Sequence, residues 1–190
     1  MKLRPTDLKN WAYCRRVVFY HQTMPGTGKA TGKMAAGERA QDLLERLEMR
    51  RTLERYGWEG AERRYGVWLT CEETGLSGRV DCLLVKGDEA AVVDYKLTSG
   101  EPGANHHLQL CGYALLVERV MGKRVRQAFL YRIPDDRVFE WEVTGEWVKE
   151  AEVALGEMAE MGRKEEIPAA TEVRGRCRDC EYANFCGDVW

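Results

Sequence analysis

No run of apolar residues in this 190-residue chain approaches the ~18 that a membrane span needs. The opening residues, MKLRPTDLKNWAYC, hold no apolar stretch of the kind that begins a secretory signal, so a cytoplasmic setting is expected. Charge of one sign is also lacking. Lys and Arg total 29 against 31 Asp and Glu, a net charge of −2, which confines any nucleic-acid contact to a local basic patch. There is no internal repeat, and the glycine-rich loop PGTGKATGK, beginning at Pro25, lacks the spacing of a phosphate-cradling P-loop.

What is present is ordinary for a soluble globular domain: 44% hydrophobic and 32% charged residues, with seven cysteines. In a reducing compartment such cysteines point to metal or redox chemistry rather than disulfides. The segment at 4–22 reads as a short helix with Thr6 as N-cap, followed by an aromatic-rich stretch. A long amphipathic helix is expected from Met34 to about Leu53, with Leu43, Leu44 and Leu47 on its apolar face. Strands follow at 63–71, 78–85 and 90–97, then a helix at 103–121 ending before Gly122. A hairpin around Pro134 and a helix at 146–161 precede a cysteine-rich tail. The order describes one mixed α/β domain over 1–190, with strands concentrated in the middle.

The stretch GRVDCLLVKGDEAAVVDYKL holds the most hydrophobic strands, yet Asp81, Asp94 and Lys96 interrupt them. A two-residue turn at Gly87-Asp88 sets Lys86 against Glu89. Counting back along both strands brings Asp81 opposite Asp94 on one face, with Lys96 beside them. Opposed carboxylates destabilise a sheet unless something positive lies between them, and a hard divalent cation is the natural occupant. Leu83, Val85 and Val92 nearby are not how a solvated face is written.

Asp81 followed by Asp94-Tyr95-Lys96 resembles the D…(D/E)xK signature of restriction-endonuclease-like nucleases. Gln109 and Tyr113 follow thirteen residues later, share a helix face, and resemble the QxxxY motif of the RecB subgroup. The tail carries Cys177, Cys180 and Cys186 as C-x2-C-x5-C, one ligand short of four, and Cys14 is the best fourth. That set suits a cubane iron–sulfur cluster better than zinc, whose knuckles come in pairs; zinc and unligated thiols remain open. Cys71, Cys82 and Cys111 read as core.

Together these features resemble the CRISPR-associated RecB-like exonucleases, the Cas-four family, over essentially the whole chain. The resemblance implies a PD-(D/E)xK, RecB-type core at about 31–165, with a mixed central sheet flanked by helices. It adds an iron–sulfur module from about 1–24 and 166–190, where Cys14, Cys177, Cys180 and Cys186 hold a [4Fe-4S] cluster. Asp81 and Asp94, with the Tyr95 carbonyl, hold Mg²⁺ or Mn²⁺ for phosphodiester hydrolysis. Lys96 orients the attacking hydroxide or stabilises the transition state, and Gln109 and Tyr113 hold Lys96 or the DNA strand. The implied substrate is DNA ends, and the implied partner the CRISPR integrase complex (Cas-one/Cas-two). One departure stands out. Where the family has a histidine ligand four residues after Gly37, this chain has Gln41, with Glu38 and Glu45 on the same helix face as substitutes. The three histidines, His21, His106 and His107, do not match that motif. A DNA-repair nuclease of the same fold, or a DNA-binding iron–sulfur scaffold with a weakened site, remains an alternative. Arg15, Arg16, Arg174, Arg176 and Arg178 flank the cysteines and are candidates for phosphate contacts.

Overall fold

Five strands form one sheet in the order β1-β2-β3-β4-β5. The structure, a computed structural model, describes residues 2–26, 52–98 and 100–187. The strands are β1 (Glu62–Cys71), β2 (Leu76–Lys86), β3 (Glu89–Lys96), β4 (Arg124–Arg132) and β5 (Arg137–Glu142). Gly87, at φ 59°, supplies the left-handed backbone that the tight turn between β2 and β3 needs. The register is the expected one: Lys86 faces Glu89, and pairing runs back to Cys82 opposite Val93. β1–β2, β2–β3 and β4–β5 are antiparallel, whereas β3–β4 is parallel.

A parallel pair needs a crossover, and α3 (Ala104–Met121) provides it. The helix therefore starts beside the end of β3 and returns along the sheet. Leu83, Val85, Ala90 and Val92 face it, in a core completed by α1 (Pro5–Tyr13) and α4 (Gly145–Lys164). The alternate residues Cys82, Leu84, Ala91, Val93 and Tyr95 form a smaller core on the opposite face. Cys71, Cys82 and Cys111 are buried, as expected. Thr144 caps α4 by accepting a hydrogen bond from the Trp147 N–H at 3.4 Å.

The N-terminal segment differs from the expectation of one short helix. The chain makes two helices, α1 and α2 (Arg15–Thr23), broken where Cys14 is extended at φ −164° and ψ 118°. Nor is Thr6 the cap. Pro5 fixes the first turn, and the Asp7 carboxylate accepts the Arg4 N–H at 2.9 Å, making Arg4 the boundary. α1 lies close against α3 because Gly112 has no side chain: a Cβ there would sit 2.5 Å from Leu8 Cδ1. Pro5 also touches Gly78 of β2, so α1 bridges sheet and crossover helix. The tail forms a short helix, α5 (Ala183–Cys186). The helix expected from Met34, with Gln41, Glu38 and Glu45, lies outside the described residues but for its last positions, as does most of the glycine-rich loop. Among the described residues, no helix is long and apolar enough to cross a membrane.

Candidate active site

Pairing between β2 and β3 stops one couple short of Asp81 and Asp94. At that couple the Asp81 carboxylate accepts the Tyr95 backbone N–H at 3.0 Å. The Tyr95 side chain turns to the opposite face, its ring 5.7 Å from that of Tyr131. Asp94 is only 2% exposed. A carboxylate so buried needs compensation, and Lys96 provides it, with Nζ 2.7 Å from Oδ2 and 2.9 Å from Oδ1. From α3, Gln109 Nε2 donates to Asp94 Oδ1 at 3.3 Å. Gln109 is 1% exposed, and its Oε1 has no partner among the described residues. Tyr113, one turn on, is held as a neutral phenol: burial raises its pKa, and Asp94 and Asp81 add to the effect. The structure thus brings Asp81, Asp94, Lys96, Gln109 and Tyr113 together at the point where β3 meets α3.

It also brings two residues that the sequence reading passed over. His106 precedes Gln109 by three positions and shares its helix face. Its Nδ1 accepts the Gly103 N–H at 3.3 Å, a bond that assigns the ring proton of the neutral form to Nε2. Burial, reinforced by Lys9 and Lys96 and opposed by Asp94, lowers the His106 pKa to about 4. Lys9, on α1 next to Leu8, has its own pKa lowered by burial and by Lys96, against the pull of Asp94 and Glu181. The i, i+3 spacing to Gln109 was the available signal for His106; for Lys9 there was none. His107 points elsewhere, with Nε2 3.2 Å from the Glu142 carbonyl and its ring 4.1 Å from that of Trp147.

At the chain ends, Cys14, Cys177, Cys180 and Cys186 line one cavity of ≈20 Å³ together with Val17 and Tyr182. Arg16 Nη1 donates to Cys186 Sγ at 3.2 Å. Burial raises the Cys180 pKa, and the other three cysteines add to it. Among the described residues, no three His, Cys, Asp or Glu side chains meet closely enough to hold one metal ion. The arginines expected to meet phosphates here include two that stitch the chain ends instead. Arg16 Nε donates to the Pro168 carbonyl at 2.8 Å, and Arg176 to that of Tyr13 at 2.6 Å, while Tyr13 returns its hydroxyl to the Arg176 carbonyl at 2.7 Å.

A sequence profile described as the PD-(D/E)XK nuclease superfamily matches residues 12–187. The chain belongs to the PD-(D/E)XK nuclease superfamily. It is a Cas4-like member of RecB type. The CRISPR-associated exonuclease Cas4 of Francisella tularensis subsp. novicida (strain U112) is 28% identical over 181 residues, spanning 95% of this chain and 91% of the relative. Two crystal structures share the fold at low identity. SSO0001 superposes with a TM-score of 0.57 at 18% identity, over 100% of this chain and 87% of its own. The alkaline exonuclease LHK-Exo of Laribacter hongkongensis gives 0.54 at 14%, over 86% and 89%.

Proposed function

We propose that the chain is a divalent-metal-dependent deoxyribonuclease that hydrolyses phosphodiester bonds at DNA ends, and that it trims prespacer ends beside the CRISPR integrase complex. The nuclease family and the Cas4 relative support the reaction class and the setting. The observation that carries the site is Asp94: a carboxylate 2% exposed, gripped by Lys96 at 2.7 Å and Gln109 at 3.3 Å, beside Asp81.

Asp81 and Asp94 hold Mg²⁺ or Mn²⁺ with the Tyr95 carbonyl, and Gln41, Glu38 or Glu45 completes the set. The two carboxylates fit such an ion, since hard oxygen donors gathered at the end of one strand pair, one buried and one half-buried, call for a cation. When bound, the ion supplies Lewis acidity, neutralising charge at the scissile phosphate and activating water. Lys96 donates hydrogen bonds where negative charge grows in the transition state. Gln109 anchors Asp94 through Nε2, and its Oε1 accepts from the attacking water. Tyr113, kept neutral, donates to the DNA strand.

Cys14, Cys177, Cys180 and Cys186 hold a [4Fe-4S] cluster within a module of about 1–24 and 166–190. The donor set suits it: four thiols around one cavity repel as thiolates unless a cationic centre joins them. In a cluster each thiolate bonds a different iron, so the four need not converge on one point. Hydrolysis moves no electrons, so these residues serve as a staple.

The test is cleavage of end-labelled single-stranded DNA with Mn²⁺. Asp94→Ala and Lys96→Ala should each lose about 10²-fold or more in rate while remaining folded; unchanged cleavage in either removes this site.

A further inference from the structure

α1 belongs to the segment that carries Cys14, yet it delivers a lysine to the nuclease site. Pro5 and Leu8 rest on Gly112 of α3, and Pro5 reaches Gly78 of β2. Lys9 follows Pro5 by one helical turn, so the same crossing carries it toward the end of β3. It is half-buried, within electrostatic reach of both Lys96 and Asp94. Among the described residues it makes no hydrogen bond or ion pair. A lysine withdrawn from water costs free energy unless an anion meets it. Asp94 and Glu181 attract it, but Asp94 is held by Lys96 and Gln109 and Glu181 by His21, and neither is joined to Lys9 by a hydrogen bond or ion pair among the described residues.

His106, in the first turn of α3, lies within electrostatic reach of the same Lys9, Lys96 and Asp94. With Nδ1 accepting from Gly103, its Nε2–H is the free donor, and burial, reinforced by the two lysines, keeps the ring neutral. A neutral donor beside an unpaired ammonium, in the first turn of a long helix whose N–H groups favour negative charge, is a setting for a phosphate.

We propose that Lys9 and His106 form a phosphate-binding subsite that grips a backbone phosphate of the DNA strand next to the one cleaved at Asp94 and Lys96. It deepens the nuclease reading and rests on it. Lys9 supplies the charge and His106 the directed hydrogen bond, so the strand is set in register before cleavage. Both are positioning residues, and the cysteine-bearing N-terminal segment thereby acts on substrate as well as on the fold.

The test is equilibrium binding of a fluorescein-labelled single-stranded oligonucleotide, read by anisotropy without divalent metal across a series of NaCl concentrations. Each phosphate contact on a single strand contributes about 0.7 to the slope of log affinity against log salt. Lys9→Met should flatten the slope by about that amount, and Lys9→Arg should keep it. His106→Phe should weaken binding with the slope unchanged, as loss of a neutral donor requires. If Lys9→Met proves unstable, Lys9→Gln serves. A wild-type slope in whichever of these is folded overturns the subsite. Binding without metal involves no turnover, so this outcome is independent of whether Asp94→Ala abolishes cleavage.

Discussion

Asp94 and His106 lie within electrostatic reach of each other near the start of α3, the one held by partners and the other kept neutral by burial. Asp94 is buried between Lys96 and Gln109, and deleting a partner would leave a buried polar group uncompensated at a cost of roughly 3–5 kcal/mol. His106 avoids charge, with a pKa of about 4 in the fold against an ordinary 6.5. Between those values the unfolded chain binds a proton that the folded chain refuses. The His106 contribution is absent above about 6.5 and lowers stability as pH falls toward 4, and His107, whose pKa burial also lowers, acts in the same direction. The lowered carboxyl of Asp7 acts only below its ordinary 3.8, outside that window. Urea midpoints at pH 7 and pH 5 should thus diverge more for the wild type than for His106→Gln; equal declines would contradict the placement of His106. Asp81, Asp94 and Lys96 were legible in the sequence because a strand's period of two and a glycine turn leave little freedom in where they point. His106 was less so, because its only mark is the i, i+3 spacing to Gln109 and the family's histidine belongs to the preceding helix.

α1 illustrates why an element can be legible while its purpose is not. Its residues announce a helix, but its angle on α3 is set by Gly112, where any side chain would meet Leu8. Alanine normally gains up to about 1 kcal/mol over glycine inside a helix. Here overpacking should cost about 1–3 kcal/mol, so Gly112→Ala should lower the urea midpoint rather than raise it. Leu8→Ala in that background should recover part of the loss; a stabilised Gly112→Ala would mean that α1 does not lie where described. The break at Cys14 was hidden for a related reason. The aromatic-rich stretch after the expected short helix is itself a second helix, and the break between them falls at Cys14, which lines a cavity with cysteines from the far end. Lys9 was invisible likewise, since its neighbours Lys96 and Asp94 come from strands far along the chain.

Across the whole molecule, the two chain ends are sewn to each other before any metal is considered. Tyr13 and Arg176 exchange hydrogen bonds, Arg16 grips Pro168, and the Tyr20 and Tyr182 rings lie 5.3 Å apart. The spacing of the late cysteines announced this joint in the sequence, while two of the five arginines that were candidates for phosphate contacts, Arg16 and Arg176, are part of the seam. Protein purified without oxygen should be brown and contain iron and acid-labile sulfide, and its removal should lower the melting temperature; a colourless, zinc-loaded protein would contradict the cluster. The sheet and crossover helix form the other half, and the family to which the chain belongs places nuclease chemistry on that architecture. The most direct measurement is the Mn²⁺ dependence of single-stranded DNA cleavage by the wild type beside Asp94→Ala. Cleavage should rise with Mn²⁺, stop with chelator and be lost in Asp94→Ala. Equal cleavage by the two proteins, or cleavage indifferent to the metal, would contradict a metal-dependent site at Asp94.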